Sequence, residues 1–149
     1  MKAFIQILAI ILLAPVFCNA WHRPDTIHPG NEQVLDIYLD CVSCDMEYFK
    51  TNFTAVNYVY DSHDADVQIL VSSLPTGGGG DQYTIRYIGT GKYASLGDTL
   101  LALLPEHFTF DETRQALLDK IQLGLVPYLL KTPYSDKLTL FIDETPIRQ

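Results

Sequence analysis

ADVQILVSS, residues 65–73, decides the fold. Val67, Ile69, Leu70 and Val71 make a nearly continuous apolar, β-branched run, the signature of a strand buried inside a sheet rather than at its rim. Reading outward in both directions, punctuation by turn residues cuts the flanking sequence into further elements. Upstream, Val56-Asn57-Tyr58-Val59-Tyr60 is β-branched and aromatic and ends in the polar turn Asp61-Ser62-His63-Asp64, which predicts a strand. Further upstream, VLDIYLD (34–40) alternates, with Leu35, Ile37 and Leu39 on one face and Asp36, Tyr38 and Asp40 on the other, as a half-buried strand does. A helix is expected between these two strands, from Asp45 to about Phe53. A carboxylate in its first turn meets the positive end of the helix dipole, and Met46, Phe49 and Phe53 share one side.

Downstream, Gly77 to Gly80 carry the chain into YTIRYIG, where Tyr83, Ile85 and Tyr87 share a face. Gly89-Thr90-Gly91 then turns it towards Lys92-Tyr93-Ala94, as in an antiparallel meander. A helix is expected from Thr109 to Asp111 up to about Leu130, because Thr109 and Glu112 have capping-box spacing. Leu117, Ile121, Leu125 and Leu129 form its stripe, while Gly124 and Pro127 predict a bend or an early stop near Leu123. Leu138 to Ile142 is a possible last strand. The expected fold is α/β (α+β): a mixed, largely antiparallel sheet packed against two helices, in one domain spanning 34–142.

The two ends read differently. Residues 1–20 combine Lys2, an apolar run from Ala3 to Val16 and the small-residue close Cys18-Asn19-Ala20, the pattern of a signal peptide cleaved after Ala20. Pro15, three positions before Cys18, stands where lipoprotein processing wants Leu. Residues 21–33, rich in Pro, Gly and His, read as a mobile arm, and 143–149 as a tail. The chain carries 18 acidic against 10 basic residues, a formal charge of −8, which disfavours nucleic acid and anionic lipid as partners. No segment after the leader is apolar enough to span a bilayer, so the mature chain is expected to be exported without a transmembrane anchor.

This order of elements, with the Ala65-Asp66 pair leading into the central strand, a glycine turn, Tyr83 to Ile88 and a closing helix, resembles the TolB N-terminal domain and the periplasmic domain of CsgG-like secretion channels. The stretch from Val34 to about Leu130, with LDCVSCD, FTAVNYV, DADVQILV and YTIRYIG, looks like the front domain of uncharacterised Bacteroidetes envelope proteins, in which an outer-membrane barrel follows. A chain ending at Gln149 falls short of the eight or more strands a barrel needs, so a barrel on a separate chain or a stand-alone version is expected. The resemblance implies a periplasmic or outer-membrane-associated module with an envelope protein partner, and no catalytic residues to carry over.

Candidate chemistry centres on Cys41 and Cys44. They follow a strand and precede a helix, where a thioredoxin-like redox pair would stand. Asp40 and Asp45 flank them, and the nearest cation in sequence is Lys50, a setting that disfavours a thiolate. Pro75, followed by Thr76 and four glycines, is not placed before a core strand as it would be in a thioredoxin-like protein. A structural disulfide is the plainer reading in an oxidising compartment, with thiol-disulfide exchange as the alternative. Asp61, His63, Asp64 and Asp66 cluster as oxygen-rich candidate calcium ligands, yet they miss the EF-hand spacing, with no glycine at the sixth position and no closing glutamate, so a solvated turn is the expected reading. Zinc on Cys41 and Cys44 would need two of His22, His28, His63 and His107, which have no diagnostic spacing. Gly89-Thr90-Gly91-Lys92 is no phosphate loop, since Tyr93 stands where Ser or Thr would reach the metal, and no serine sits in a Gly-x-Ser-x-Gly elbow. No cofactor is therefore expected. Tyr38, Tyr58, Tyr60, Tyr83, Tyr87 and Tyr93 suit either a contact surface or ordinary sheet packing. The Asn52-Phe53-Thr54 sequon would matter only in a eukaryotic secretory pathway.

Overall fold

The computed structural model describes residues 34–142; the expected leader, arm and tail lie outside them. The described elements are β1 (Leu35–Asp40), α1 (Met46–Asn52), β2 (Val56–Tyr58), β3 (Val67–Pro75), β4 (Asp81–Gly89), β5 (Gly97–Leu104) and α2 (Phe110–Leu129), with 3-10 turns at Ser62–Asp64, Gly91–Tyr93 and Pro133–Lys137. The strands form one mixed sheet in the order β2-β1-β3-β4-β5, so β3 is central. β1 lies parallel to β2 and to β3, whereas β3, β4 and β5 form an antiparallel meander whose two ladders run the whole length of β4.

Alternation sorts the sheet into two faces. Leu35, Ile37, Val56, Val67, Ile69, Tyr83, Ile85, Tyr87 and Ala102 point to one side and join Phe49 and Phe53 of the α1 region and Leu117, Leu118, Ile121, Leu125, Tyr128 and Leu129 of α2 in a single core. Both helices therefore cover the same face. The opposite face is crossed at one end by the connection from β2 to β3, where the Gln68 amide donates to the Ser62 carbonyl (3.1 Å). Its other end, formed by β3, β4 and β5, carries no helix among the described residues.

The helix ends follow their local chemistry. Glu112 N–H donates to Thr109 Oγ1 (3.2 Å) and Thr109 N–H to the Glu112 carboxylate (2.7 Å), so the capping box holds both ways. This contact also holds the Glu112 carboxyl below its ordinary range, the Thr109 N–H being the main cause.

Four expectations need correction. α2 does not stop near Leu123 but runs through Gly124 and Pro127 to Leu129. Pro127 removes only the N–H that would bond the Leu123 carbonyl, and Leu123 lies on the exposed side, where water can replace it. Lys92-Tyr93-Ala94 is no strand: Gly91–Tyr93 is a 3-10 turn that drives Tyr93 inward onto Tyr128, with ring centroids 5.8 Å apart. The third meander strand is β5, further along. Finally, β2 ends at Tyr58 instead of Tyr60, and Leu138 to Ile142 joins no sheet, leaving Phe141 92% exposed.

Candidate functional site

Two places combine unusual side chains with access to solvent, and they meet at the C-terminal end of β1. There the chain turns through Cys41-Val42-Ser43-Cys44 before α1 starts. Cys41 and Cys44 lie at disulfide distance across this turn, their Cα atoms 5.4 Å apart, inside the span such a bridge requires. Asp45 caps α1, accepting from the Tyr48 N–H (3.0 Å), and its other oxygen accepts from Arg114 Nη1 of α2 (2.9 Å). The Arg114 guanidinium also lies 4.1 Å from the centre of the Tyr48 ring, whose hydroxyl donates to Gln115, and bonds Asp111 (2.9 Å). This cluster clamps the disulfide turn and α1 onto the start of α2.

Electrostatics at the turn oppose thiol chemistry. The Asp45 carboxyl is held below its ordinary 3.8, first by the Tyr48 N–H and then by Arg114, so it stays anionic next to Cys44. A carboxylate beside a thiol disfavours the thiolate that exchange requires. On the other side of the turn, burial pushes the Tyr83 hydroxyl up, Asp81 adds to this, and a hydrogen bond with Ser43 opposes it.

Two outcomes follow from this arrangement. In a graded glutathione series with thiol trapping, the pair should stay oxidised, as bridges with potentials below about −300 mV do. Replacing Cys41 and Cys44 together by Ser should cost about 2 kcal/mol in urea unfolding, the scale for so short a loop. As for pH, the folded carboxyl of Asp45 titrates below its unfolded value. Its contribution is therefore complete above about pH 4 and fades as pH falls through the folded value. Asp45→Asn, which still caps the helix, should flatten the acid limb of the melting-temperature curve.

The second place is the open sheet face. Asp40, Leu70, Val71, Ser72, Thr84 and Arg86 line a shallow depression of about 300 Å³ there. Register explains the grouping, since Asp40 pairs with Leu70, Leu70 with Arg86, and Ser72 with Thr84. Arg86 is exposed and makes no ion pair among the described residues. Further along, opposite Thr84 and Gln82, the same face carries Leu101, Leu103 and Leu74, which are 57%, 68% and 67% exposed. A guanidinium sharing a face with bare leucines suits contact with a partner that is part apolar and part acidic.

The other sequence candidates scatter. Asp61 caps the 3-10 turn by accepting from the His63 N–H (2.9 Å), while Asp66 accepts from the Asp36 N–H (3.2 Å). Asp61, His63 and Asp64 stay exposed, and among the described residues no three His, Cys, Asp or Glu side chains are placed to hold a metal. His22 and His28 lie outside the described residues. Of the tyrosines, Tyr83 and Tyr87 are core residues of β4, which is ordinary sheet packing, Tyr93 is buried from its 3-10 turn, and Tyr60 is exposed. Sequence reading missed Arg114, whose partner Asp45 is 69 positions away, and the open face, whose exposed leucines it did not single out.

Among the described residues no helix is long and apolar enough to cross a membrane. Comparison with protein-family models, with curated proteins and with solved structures finds no match.

Proposed function

We propose that this chain is an exported, non-catalytic binding or assembly module of the periplasm or outer membrane that uses its open sheet face to hold an envelope protein. The carrying observation is that face: the part formed by β3, β4 and β5 carries no helix among the described residues and presents Arg86 and, further along towards the β3–β4 turn, the exposed Leu74, Leu101 and Leu103. A sheet covered by helices on one side buries the other only against something else, and exposed leucines sharing a face with a free cation are costly to keep without a use. The leader pattern, the acidic balance and the resemblance to TolB N-terminal and CsgG-like domains point the same way. The reading needs no cofactor.

The alternative, a thiol-disulfide oxidoreductase acting through Cys41 and Cys44, draws on one feature: Val42 and Ser43 between the cysteines are exposed, so a partner could reach the bridge. The anionic Asp45 beside it weighs against this reading. Cross-linked capture from envelope extract tests the binding proposal. A partner recovered by the wild type and lost with Arg86→Glu supports it, and equal recovery by both proteins refutes it.

A further inference from the structure

β5 closes one end of the sheet, so one side of its backbone bonds β4 and the other meets no strand among the described residues. The Gly89 N–H donates to the Leu96 carbonyl (3.0 Å) where the β4–β5 ladder begins. In an antiparallel ladder alternate residues turn both backbone groups towards the same neighbour. The even-numbered residues from Leu96 to Leu104 therefore bond β4, and Gly97, Thr99, Leu101 and Leu103 direct theirs outward. Thr99 agrees with this assignment, because its N–H is taken up by the Asp98 carboxylate (2.7 Å) and not by β4. From Thr99 to Leu104 this edge has no proline and no charge, and its register with β4 is unbroken by a bulge. Apart from Asp98, which takes up one outward N–H, it lacks the usual devices that stop a strand edge from pairing.

Among the described residues, the chain that leaves α2 does not fill this edge. β5 is parallel to β1, through β3 and β4, and α1 and α2 lie on the same face. Parallel crossovers are right-handed in about 98% of cases, and β1-α1-β2 fixes which way that hand moves across this sheet. The same hand from β5 through α2 leads back over β4, away from the free edge. Among the described residues no strand pairs with this edge.

We propose that the free edge of β5 pairs with β5 of a second copy, about a two-fold axis through Leu101. A two-fold axis normal to the sheet matches outward-bonding residues whenever it passes through a residue position, and of these Leu101 lies near the middle of the uncharged run from Thr99 to Leu104. At Leu101 it sets Leu101 against its own copy and Thr99 against Leu103, and Asp98 falls opposite Leu104, so no like charges meet. One sequence satisfies both sides, as an isologous interface requires. The two sheets become one, and their leucine-bearing faces run together. An edge of eight residues buries a modest area, so the association is a concentration-dependent equilibrium. This inference stands apart from the binding proposal, which needs only the open face.

Sedimentation velocity of the full chain over rising concentration tests it. The expected result is a monomer–dimer equilibrium that Leu101→Lys, which sets two ammonium groups against each other on the axis, weakens roughly tenfold or more. Asp98→Ala, which releases the Thr99 N–H, tightens it, and this variant decides the matter should Leu101→Lys fail to fold by circular dichroism. Leu123→Lys, on the exposed side of α2, leaves it unchanged. A monomer at every concentration up to about 1 mM overturns the proposal, whether the edge stays bare or a segment of the same chain covers it. So does a dimer indifferent to Leu101→Lys and Asp98→Ala, which would associate through another surface.

Discussion

Replacing Tyr87 by Ala is expected to lower the unfolding free energy by about 3–5 kcal/mol, a large share of the roughly 5–15 kcal/mol that holds a domain of this size together. Tyr87 joins the two layers. Its ring, 1% exposed, lies against Gly124 so closely that a Cβ there would come within 2.1 Å of its Cζ. Its hydroxyl donates to the Lys120 carbonyl one turn earlier in α2 (2.9 Å). Burial pushes this hydroxyl well above the ordinary tyrosine range, as befits a group held neutral in the core. Truncation to Ala removes the ring and leaves a cavity that the glycine opposite has no side chain to fill. Urea unfolding should show a lower midpoint with an unchanged slope, since the surface exposed on unfolding hardly changes. The same contact explains why α2 accepts a glycine in its interior, where Ala would otherwise be preferred by about 1 kcal/mol.

Gly89→Ala is the second large effect, at about 3 kcal/mol, because the atoms it would strike are backbone and cannot swing away. A Cβ at Gly89 would lie 2.0 Å from the Tyr93 carbonyl oxygen and 2.8 Å from that of Leu96. The Tyr93 oxygen accepts from the Leu96 N–H (2.8 Å) and the Leu96 oxygen from the Gly89 N–H (3.0 Å), so relieving the overlap breaks the connection between β4 and β5. Hydrogen exchange resolved by residue is the discriminating measurement. Protection should fall first across the β4–β5 ladder, while the β1–β3 pairing keeps its own. A uniform loss across the sheet would mean that the clash is absorbed elsewhere.

How much could be read in the sequence depended on whether the signal was local. The central position of β3, the stripe Leu117, Ile121, Leu125 and Leu129, and the Thr109–Glu112 box are all patterns within one element, and each is where the sequence places it. β5 went unread because Leu100, Leu101, Leu103 and Leu104 are apolar at both parities: the even positions face α2 and the odd ones the open face, so the alternation that marks a half-buried strand is missing. The Lys92-Tyr93-Ala94 segment misled for the opposite reason. Tyr93 is apolar enough for a strand, yet it is the plug of a turn. The clamp at the disulfide was invisible beyond Asp45, because Arg114 is brought to it only by the packing of α2 on α1. The cysteine spacing was plain, but its chemistry depended on a carboxylate whose charge is fixed by a residue from the far end of the chain.

The meander has a further consequence for the order of assembly. β3, β4 and β5 are joined by short turns, so their ladders close small loops at little entropic cost. The parallel pairing of β1 with β3 brings Ile37 to Val67 and must first draw in α1 and β2 between them. Loop-closure entropy thus divides the sheet into a half that can zip by itself and a half that docks on it. If the chain is exported as proposed, β1 leaves the translocation pore before its neighbour β3 and waits for it. The leading half of this domain is then the half that most needs shielding while the rest arrives.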